Sequence, residues 1–262
     1  MNFIFWCEFP HKTNWDNLAK WLEELDMNIV IYVASSSRDN YNWWVKEINK
    51  KSSRIEVNAW PVLTKKEGYW FSGHCSKESI DKLKEFDGLN VKVDLEMPFE
   101  GNYTNWNMIK YCWKFLFKKG KNNDYLVDTV KDLSQNNKLL VNMFPFLPFY
   151  LRRNGCYVEK NVKVSRQYMA YTSIPGPWSM SLMRIFDKIN FGWLKKGEDF
   201  SISIGLIGEG ILKTEGVYRD EKDFVRDLEM VKKLGLKDIC VYSIDAISNK
   251  GKIWLEVVKK YN

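Results

Sequence analysis

The sequence predicts a single (β/α)8 TIM barrel of the α/β class over residues 1–262, and three observations carry that expectation. Eight short apolar segments alternate with amphipathic runs, the pattern of a parallel sheet built from β-α units. A chain of 262 residues has the usual length for such a barrel. The main rival, a doubly wound open sheet, calls for a glycine-rich phosphate turn after its first strand, and CEFPHKT stands there instead.

Taken in order, strands are predicted over 3–8 (FIFWCE), 28–34 (NIVIYVA), 54–60 (RIEVNAW), 89–96 (LNVKVDLE), 138–144 (KLLVNMF), 164–171 (VSRQYMAY), 200–206 (FSISIGL) and 238–244 (DICVYSI). Between them lie WDNLAKWLEEL, YNWWVKEINK, SKESIDKLKEF, NWNMIKYCWKFLFKK with YLVDTVKDLSQ, WSMSLMRIFDKI and EKDFVRDLEMVKKLG. Each carries apolar residues at three- and four-residue spacing, the signature of a helix with one buried face. The last ends at Gly235, a residue suited to a helix C-cap. The chain shows no internal repeat and no low-complexity linker.

Composition narrows the function classes. Lys and Arg number 40 against 33 Asp and Glu, a net charge of +7, but the excess is spread in pairs such as 50–51, 118–119 and 259–260. It reads as solubility, and no nucleic-acid partner is expected. Five dispersed cysteines, an odd number with no CxxC pair, argue for a reducing compartment. The opening MNFIFWCEFP lacks a basic leader and reads as a strand rather than a signal peptide. No segment is long enough to span a bilayer, so a cytoplasmic protein without a membrane partner is expected. His11 and His74 are the only histidines and neither has a second histidine at ligand spacing, so no metal and no cofactor are expected, a carboxylate-only magnesium site being the alternative left open. No GxSxG elbow or P-loop occurs.

Strand four holds the feature that points to chemistry. In LNVKVDLEMPF, alternation sends Val91, Val93 and Leu95 to one face and Lys92, Asp94 and Glu96 to the other. A barrel strand packs one face under helices and turns the other into the lumen, so the charged face is read as lumenal, with Glu96 at the C-terminal rim. Strand three shows the same division (Ile55, Val57, Ala59 against Glu56, Asn58, Trp60), and strand five sets Asn142 between Leu140 and Phe144. Lys92 is expected to hold Asp94 ionised, and the Asp94 charge with partial burial to keep Glu96 protonated. Glycosidic cleavage asks that of its general acid.

Twelve Trp, thirteen Tyr and fifteen Phe favour a sugar ligand, because flat rings with polar rims suit the C–H faces of pyranoses. Many lie near strand ends or in the following loops: Trp60, Tyr69, Trp70, Phe71, Tyr103, Trp106, Phe144, Phe146, Phe149, Tyr171, Trp178 and Tyr242. The loop GYWFSGH at 68–74 is the cluster least readily assigned to a core.

Three segments resemble family 18 glycoside hydrolases, the chitinase and endo-N-acetylglucosaminidase family. VKVDLE at 91–96 resembles the fourth-strand DxxDxDxE, YMAYTS at 168–173 the sixth-strand M-x-Y-D, and VYSIDAI at 241–247 the eighth-strand segment. The resemblance implies Glu96 as general acid, Asp94 orienting an N-acetyl group, Tyr171 contacting its carbonyl, and Tyr242 where the family has a tryptophan platform. It implies substrate-assisted retention through an oxazolinium ion on an oligosaccharide or polysaccharide containing N-acetylglucosamine. Two positions depart from the family: Lys92 replaces the innermost aspartate and Thr172 the aspartate after the sixth-strand tyrosine.

Glu8, Trp60, Trp70, Asn142, Tyr242 and Asp245 complete the expected substrate-binding set. Further carboxylates lie at Glu8, Glu56, Glu209 and Asp245; Glu8 or Asp245 could join Glu96 in a conventional pair, retaining at a separation of about 5–5.5 Å and inverting at about 6.5–9.5 Å. The alternatives are an inactive carbohydrate-binding barrel, favoured by Lys92 and Thr172, and a lyase or isomerase barrel using Lys92 or Glu8.

Overall fold

The computed structural model describes residues 1–98, 110, 114–176, 179–197, 199–212 and 214–262. Eight strands, β1 (Asn2–Cys7), β2 (Ile29–Ser35), β3 (Ile55–Pro61), β4 (Val91–Leu95), β5 (Leu139–Met143), β6 (Ser165–Ala170), β7 (Ser201–Ile204) and β8 (Asp238–Tyr242), follow one another in a closed parallel barrel. Each coincides with a predicted segment to within two residues at either end. Helices among the described residues include α1 (Trp15–Glu24), α2 (Arg38–Asn49), α3 (Lys77–Asp81), α4 (Asn123–Asn136), α5 (Pro148–Arg153), α6 (Met180–Leu194), α7 (Glu221–Lys233), α8 (Ile244–Lys250) and α9 (Ile253–Tyr261). Most of the predicted helix over 105–119, together with Tyr103, Trp106, Cys112 and Trp178, lies outside the described residues.

Local chemistry sets the helix ends. The Asn14 side chain accepts from the Asn17 amide at 3.0 Å to start α1, and Asp220 accepts from the Lys222 and Asp223 amides to start α7. Such caps satisfy amides that have no partner within the helix. Past the end of α7, Gly235 adopts φ +66°, the left-handed conformation anticipated for a C-cap. The segment predicted as one helix over 76–86 divides into α3 and a 3-10 turn, Lys82–Phe86. Helices α5, α8 and α9 were not anticipated: α5 is a short helix opened by Pro148, and α8 and α9 follow the last strand.

The chain comprises two compact units. One contains Met1–Ala34, Asn42–Val57 and Met169–Asn262. In it β1 lies between β2 and β8, with Phe5 opposite Ile31 and Val241, and Trp6 opposite Tyr242. Its core includes Leu18, Leu22, Ile202, Phe224, Leu228, Leu255 and Val258, all buried. The other contains Ser35–Tyr41 and Asn58–Tyr168. Its strands β4 and β5 are buried along their whole length, as expected of barrel strands covered on both faces. Apolar side chains of α3, α4 and the 3-10 turn, among them Ile80, Leu83, Phe86, Leu126 and Val130, fill this core.

Candidate functional site

The β4 pleat sends Lys92 and Asp94 to one face, and neighbouring strands supply their partners. Lys92 Nζ lies 2.9 Å from Asp94 Oδ2, and Asn142 Nδ2 of β5 donates to Asp94 Oδ1 at 2.9 Å. Register makes the second contact unavoidable, because Asp94 and Asn142 stand directly opposite each other in the ladder. The Lys92 ammonium sits 3.4 Å from the centroid of the Trp60 ring, where the ring's negative face attracts a cation. Lys92 is 0 % exposed and Asp94 2 %. The charged face of strand four is therefore an interior one, with its charges held by side chains of β3, β4 and β5.

Glu96 follows the last residue of β4 and is buried at 8 % exposure. Its main chain is fixed by the aromatic loop at 68–74: the Glu96 amide donates to the Phe71 carbonyl at 3.0 Å and the Phe71 amide to the Asp94 carbonyl at 3.1 Å. Phe71 thus extends the ladder beside Leu95 and is buried, while Tyr69 and Trp70 remain half-buried. The loop is anchored again at Gly73, where a Cβ would stand 1.6 Å from Asn123 Oδ1, so only glycine fits. Burial pushes the Cys156 thiol well up, and the nearby Glu96 charge acts in the same direction.

A second cluster lies in the other unit. Tyr242 Oη, at the end of β8, donates to Glu8 Oε2, just past β1. The Glu8 amide donates to Asp245 Oδ1 at 3.1 Å. Burial raises the Asp245 carboxyl to about 6, opposed by the nearby Ser243 side chain and by backbone amides, those of Glu8 and Phe9 among them. Glu215, in the loop after β7, is raised to about 8 by burial and then by the Glu8 charge. A Cβ on Gly210 would meet Tyr242 Oη at 2.5 Å, Glu215 Oε2 at 2.8 Å and Glu8 Oε2 at 3.3 Å. Three side-chain oxygens therefore converge on the space that this glycine leaves empty. Tyr171 borders them, its ring centroid 5.8 Å from Tyr242 and 6.3 Å from Trp6.

Thr172 is directed elsewhere. Its hydroxyl donates to Asp227 Oδ2 at 2.6 Å, Tyr218 donates to the same oxygen at 2.5 Å, and Arg184 pairs with Oδ1. Thr172, Tyr218 and Asp227 are all buried, so the Thr172 hydroxyl serves a buried structural network that ties β6 to α6 and α7.

Of the expected residues, Lys92, Asp94, Asn142 and Trp60 form one contiguous group with Glu96 two residues beyond Asp94, and Glu8, Tyr242, Asp245 and Tyr171 form another. Glu56 and Glu209 are exposed. His74 Nε2 pairs with Asn154 Oδ1 at 2.8 Å, and burial lowers its pKa. Sequence reasoning missed Glu215 and Trp6. A glutamate in a glycine-punctuated loop after a strand C-terminus, GEGILKTEG, was the available signal for Glu215. Among the described residues no group of three or more His, Cys, Asp or Glu side chains could hold a metal ion, and no helix is long and apolar enough to cross a membrane. Cys7, Cys75 and Cys156 are buried free thiols, and Cys240 is buried.

No protein-family model and no curated protein matches the chain. Solved structures do match, over almost the full length. The PgaB (BpsB) glycoside hydrolase domain from Bordetella bronchiseptica superposes with a TM-score of 0.61 at 10 % identity, covering 100 % of this chain and 98 % of that one. The fold is a TIM barrel. The catalytic domain of a beta-amylase from Paenibacillus polymyxa is similar at a TM-score of 0.54 and 9 % identity, over 99 % of this barrel and 97 % of its own chain. A family GH18 chitinase from Cycas revoluta, solved in complex with allosamidin, gives 0.54 at 8 % identity, over 100 % and 99 %. At these identities the likeness establishes the barrel, and a barrel of this kind hosts many chemistries.

Proposed function

We propose that this TIM barrel hydrolyses glycans containing N-acetylglucosamine or a related sugar, with Glu96 as general acid. The observation that carries the reading is the order on the face of β4: an ion-paired Asp94, fixed from both sides, with a buried glutamate two residues further toward the strand's C-terminal end, where barrel enzymes do their chemistry. The fold's likeness to glycoside hydrolases supports it.

In this reading Glu96 gives its proton to the leaving glycosidic oxygen while the substrate's acetamido oxygen attacks the anomeric carbon and closes an oxazolinium ring. Glu96, now a carboxylate, takes a proton from the water that reopens the ring. Asp94 orients the acetamido N–H. Lys92 and Asn142 each occupy one of its oxygens, and a carboxylate offers about four acceptor positions, so room remains for that contact.

A second reading, a carbohydrate-binding barrel without turnover, draws on the same structure: Lys92 stands where a proton-sharing aspartate would be needed, and Thr172 is committed to Asp227. The Schiff-base alternative loses support, since Lys92 is fully buried between Asp94 and Trp60. Turnover of chromogenic N-acetylglucosamine oligomers by the wild type and by Glu96→Gln, across pH, separates these readings. Wild-type activity that collapses in the variant is the expected result. Glycan binding without product in either protein would replace hydrolysis with binding.

A further inference from the structure

Helix α6 has two apolar faces. Met180 and Phe191 are buried at 1 % and 0 % exposure. On the other side Leu182, Ile185, Phe186, Ile189 and Trp193 are exposed by 68, 58, 55, 59 and 69 %. At 3.6 residues per turn these five fall within an arc of roughly 100°, opposite the buried one. Solvated helices carry polar residues on the outer face, and a continuous stripe of large apolar side chains marks an interaction site.

The charges around the stripe indicate what it meets. Lys188, Lys195 and Lys196 are exposed on α6 and just beyond its end; the Lys196 ammonium lies 4.7 Å from the Trp193 ring centroid. Lys195 Nζ donates to the Leu234 carbonyl at 2.5 Å, which brings the end of α6 beside Lys232 and Lys233 in the last turn of α7. The one acid on α6, Asp187, is buried at 2 % exposure and lies within the electrostatic reach of Asp227. The margin of the stripe thus carries more cations than acids, Asp199 being the exposed acid that follows Lys195 and Lys196, in a chain of net charge +7. A second copy would bring a like net charge and the same basic margin to the contact. A surface combining hydrocarbon with anionic groups complements both features.

We propose that α6 is a docking surface for an anionic lipid surface, lying in the interfacial plane with Leu182, Ile185, Phe186, Ile189 and Trp193 inserted and the lysines against the headgroups. Apolar area and attraction to anionic lipid together set the strength of such binding, and tryptophan favours the interface. The inference is independent of the glycan reading, because it uses no residue of either carboxylate cluster.

The test is cosedimentation of the full chain with phosphatidylcholine vesicles, with and without phosphatidylglycerol, alongside sedimentation velocity of the free protein. Binding to the phosphatidylglycerol vesicles that weakens with salt, and falls by roughly tenfold or more in Phe186→Ser/Trp193→Ser and in Lys188→Glu/Lys196→Glu, is expected. These positions are exposed, so retained thermal unfolding shows that the variants fold. No binding to phosphatidylglycerol vesicles, equal binding to both compositions, or variants that bind as wild type would each overturn the proposal. So would a concentration-dependent dimer that the Phe186→Ser/Trp193→Ser variant dissolves, which would assign the stripe to a second copy.

Discussion

Lys92 and Asp94 form an ion pair at 2.9 Å, with 0 % and 3 % of their side chains exposed, two residues apart on a single strand. Removing one partner from a buried pair leaves an uncompensated charge. Lys92→Met should therefore lower the unfolding free energy by about 3–5 kcal/mol. Lys92→Met combined with Asp94→Asn should recover part of that loss, because no lone charge remains. Urea denaturation of the two variants checks both, and a double variant weaker than Lys92→Met alone would refute the account.

Glu215 makes stability depend on pH in a defined sense. Its carboxyl is raised from 4.5 to about 8 in the folded protein, so between those values the folded state holds a proton that the unfolded state has lost. The stability contributed by this protonated carboxyl is present at low pH and is lost as pH rises through the window. The slope is at most about 1.4 kcal/mol per pH unit. Glu215→Gln should flatten the stability profile between roughly pH 4.5 and 8 and leave the variant the more stable protein at the alkaline end, as chemical denaturation at a series of pH values would show.

Gly210 and Gly192 should respond oppositely to alanine. A Cβ at Gly210 would press on Tyr242 Oη and Glu215 Oε2, whereas one at Gly192, within α6, meets nothing within 4 Å. Gly210→Ala should destabilise by about 1–3 kcal/mol through overpacking. Gly192→Ala should stabilise by up to about 1 kcal/mol through helix propensity. Thermal unfolding compares the two directly.

Thr172→Val keeps the shape and deletes the hydroxyl that Asp227 accepts from at 2.6 Å. Asp227 retains Tyr218 and Arg184, so a loss of about 1–3 kcal/mol is expected, the cost of one missing bond to a buried charged group. Equilibrium unfolding measures it; a neutral result would mean that Thr172 is not part of the supporting network.

FIFWCE and NIVIYVA were legible as short apolar runs, and the alternation of RIEVNAW and LNVKVDLE was legible because pleating is local: period two survives whatever the strand later meets. The spacing of Lys92, Asp94 and Glu96 was legible for the same reason. What fixes Asp94 was legible only in part. Asn142 was singled out as a polar residue in an apolar strand, but its pairing 48 residues away in the chain depends on the register of β4 against β5.

The sequence by itself determined the order of the eight strands and the charged face of β4, since each follows from side-chain periodicity within a single segment, and the eightfold alternation of strands with amphipathic runs pointed to the barrel. Tertiary structure alone decided that Trp60 covers the Lys92 ammonium, that Glu215 joins Glu8 and Tyr242 around Gly210, and that Thr172 turns toward Asp227. It also decided which of the two apolar arcs of α6 is buried. Helical spacing records that residues share a face; only packing of distant segments, such as Tyr242 against Glu8 across 234 positions, decides what that face meets.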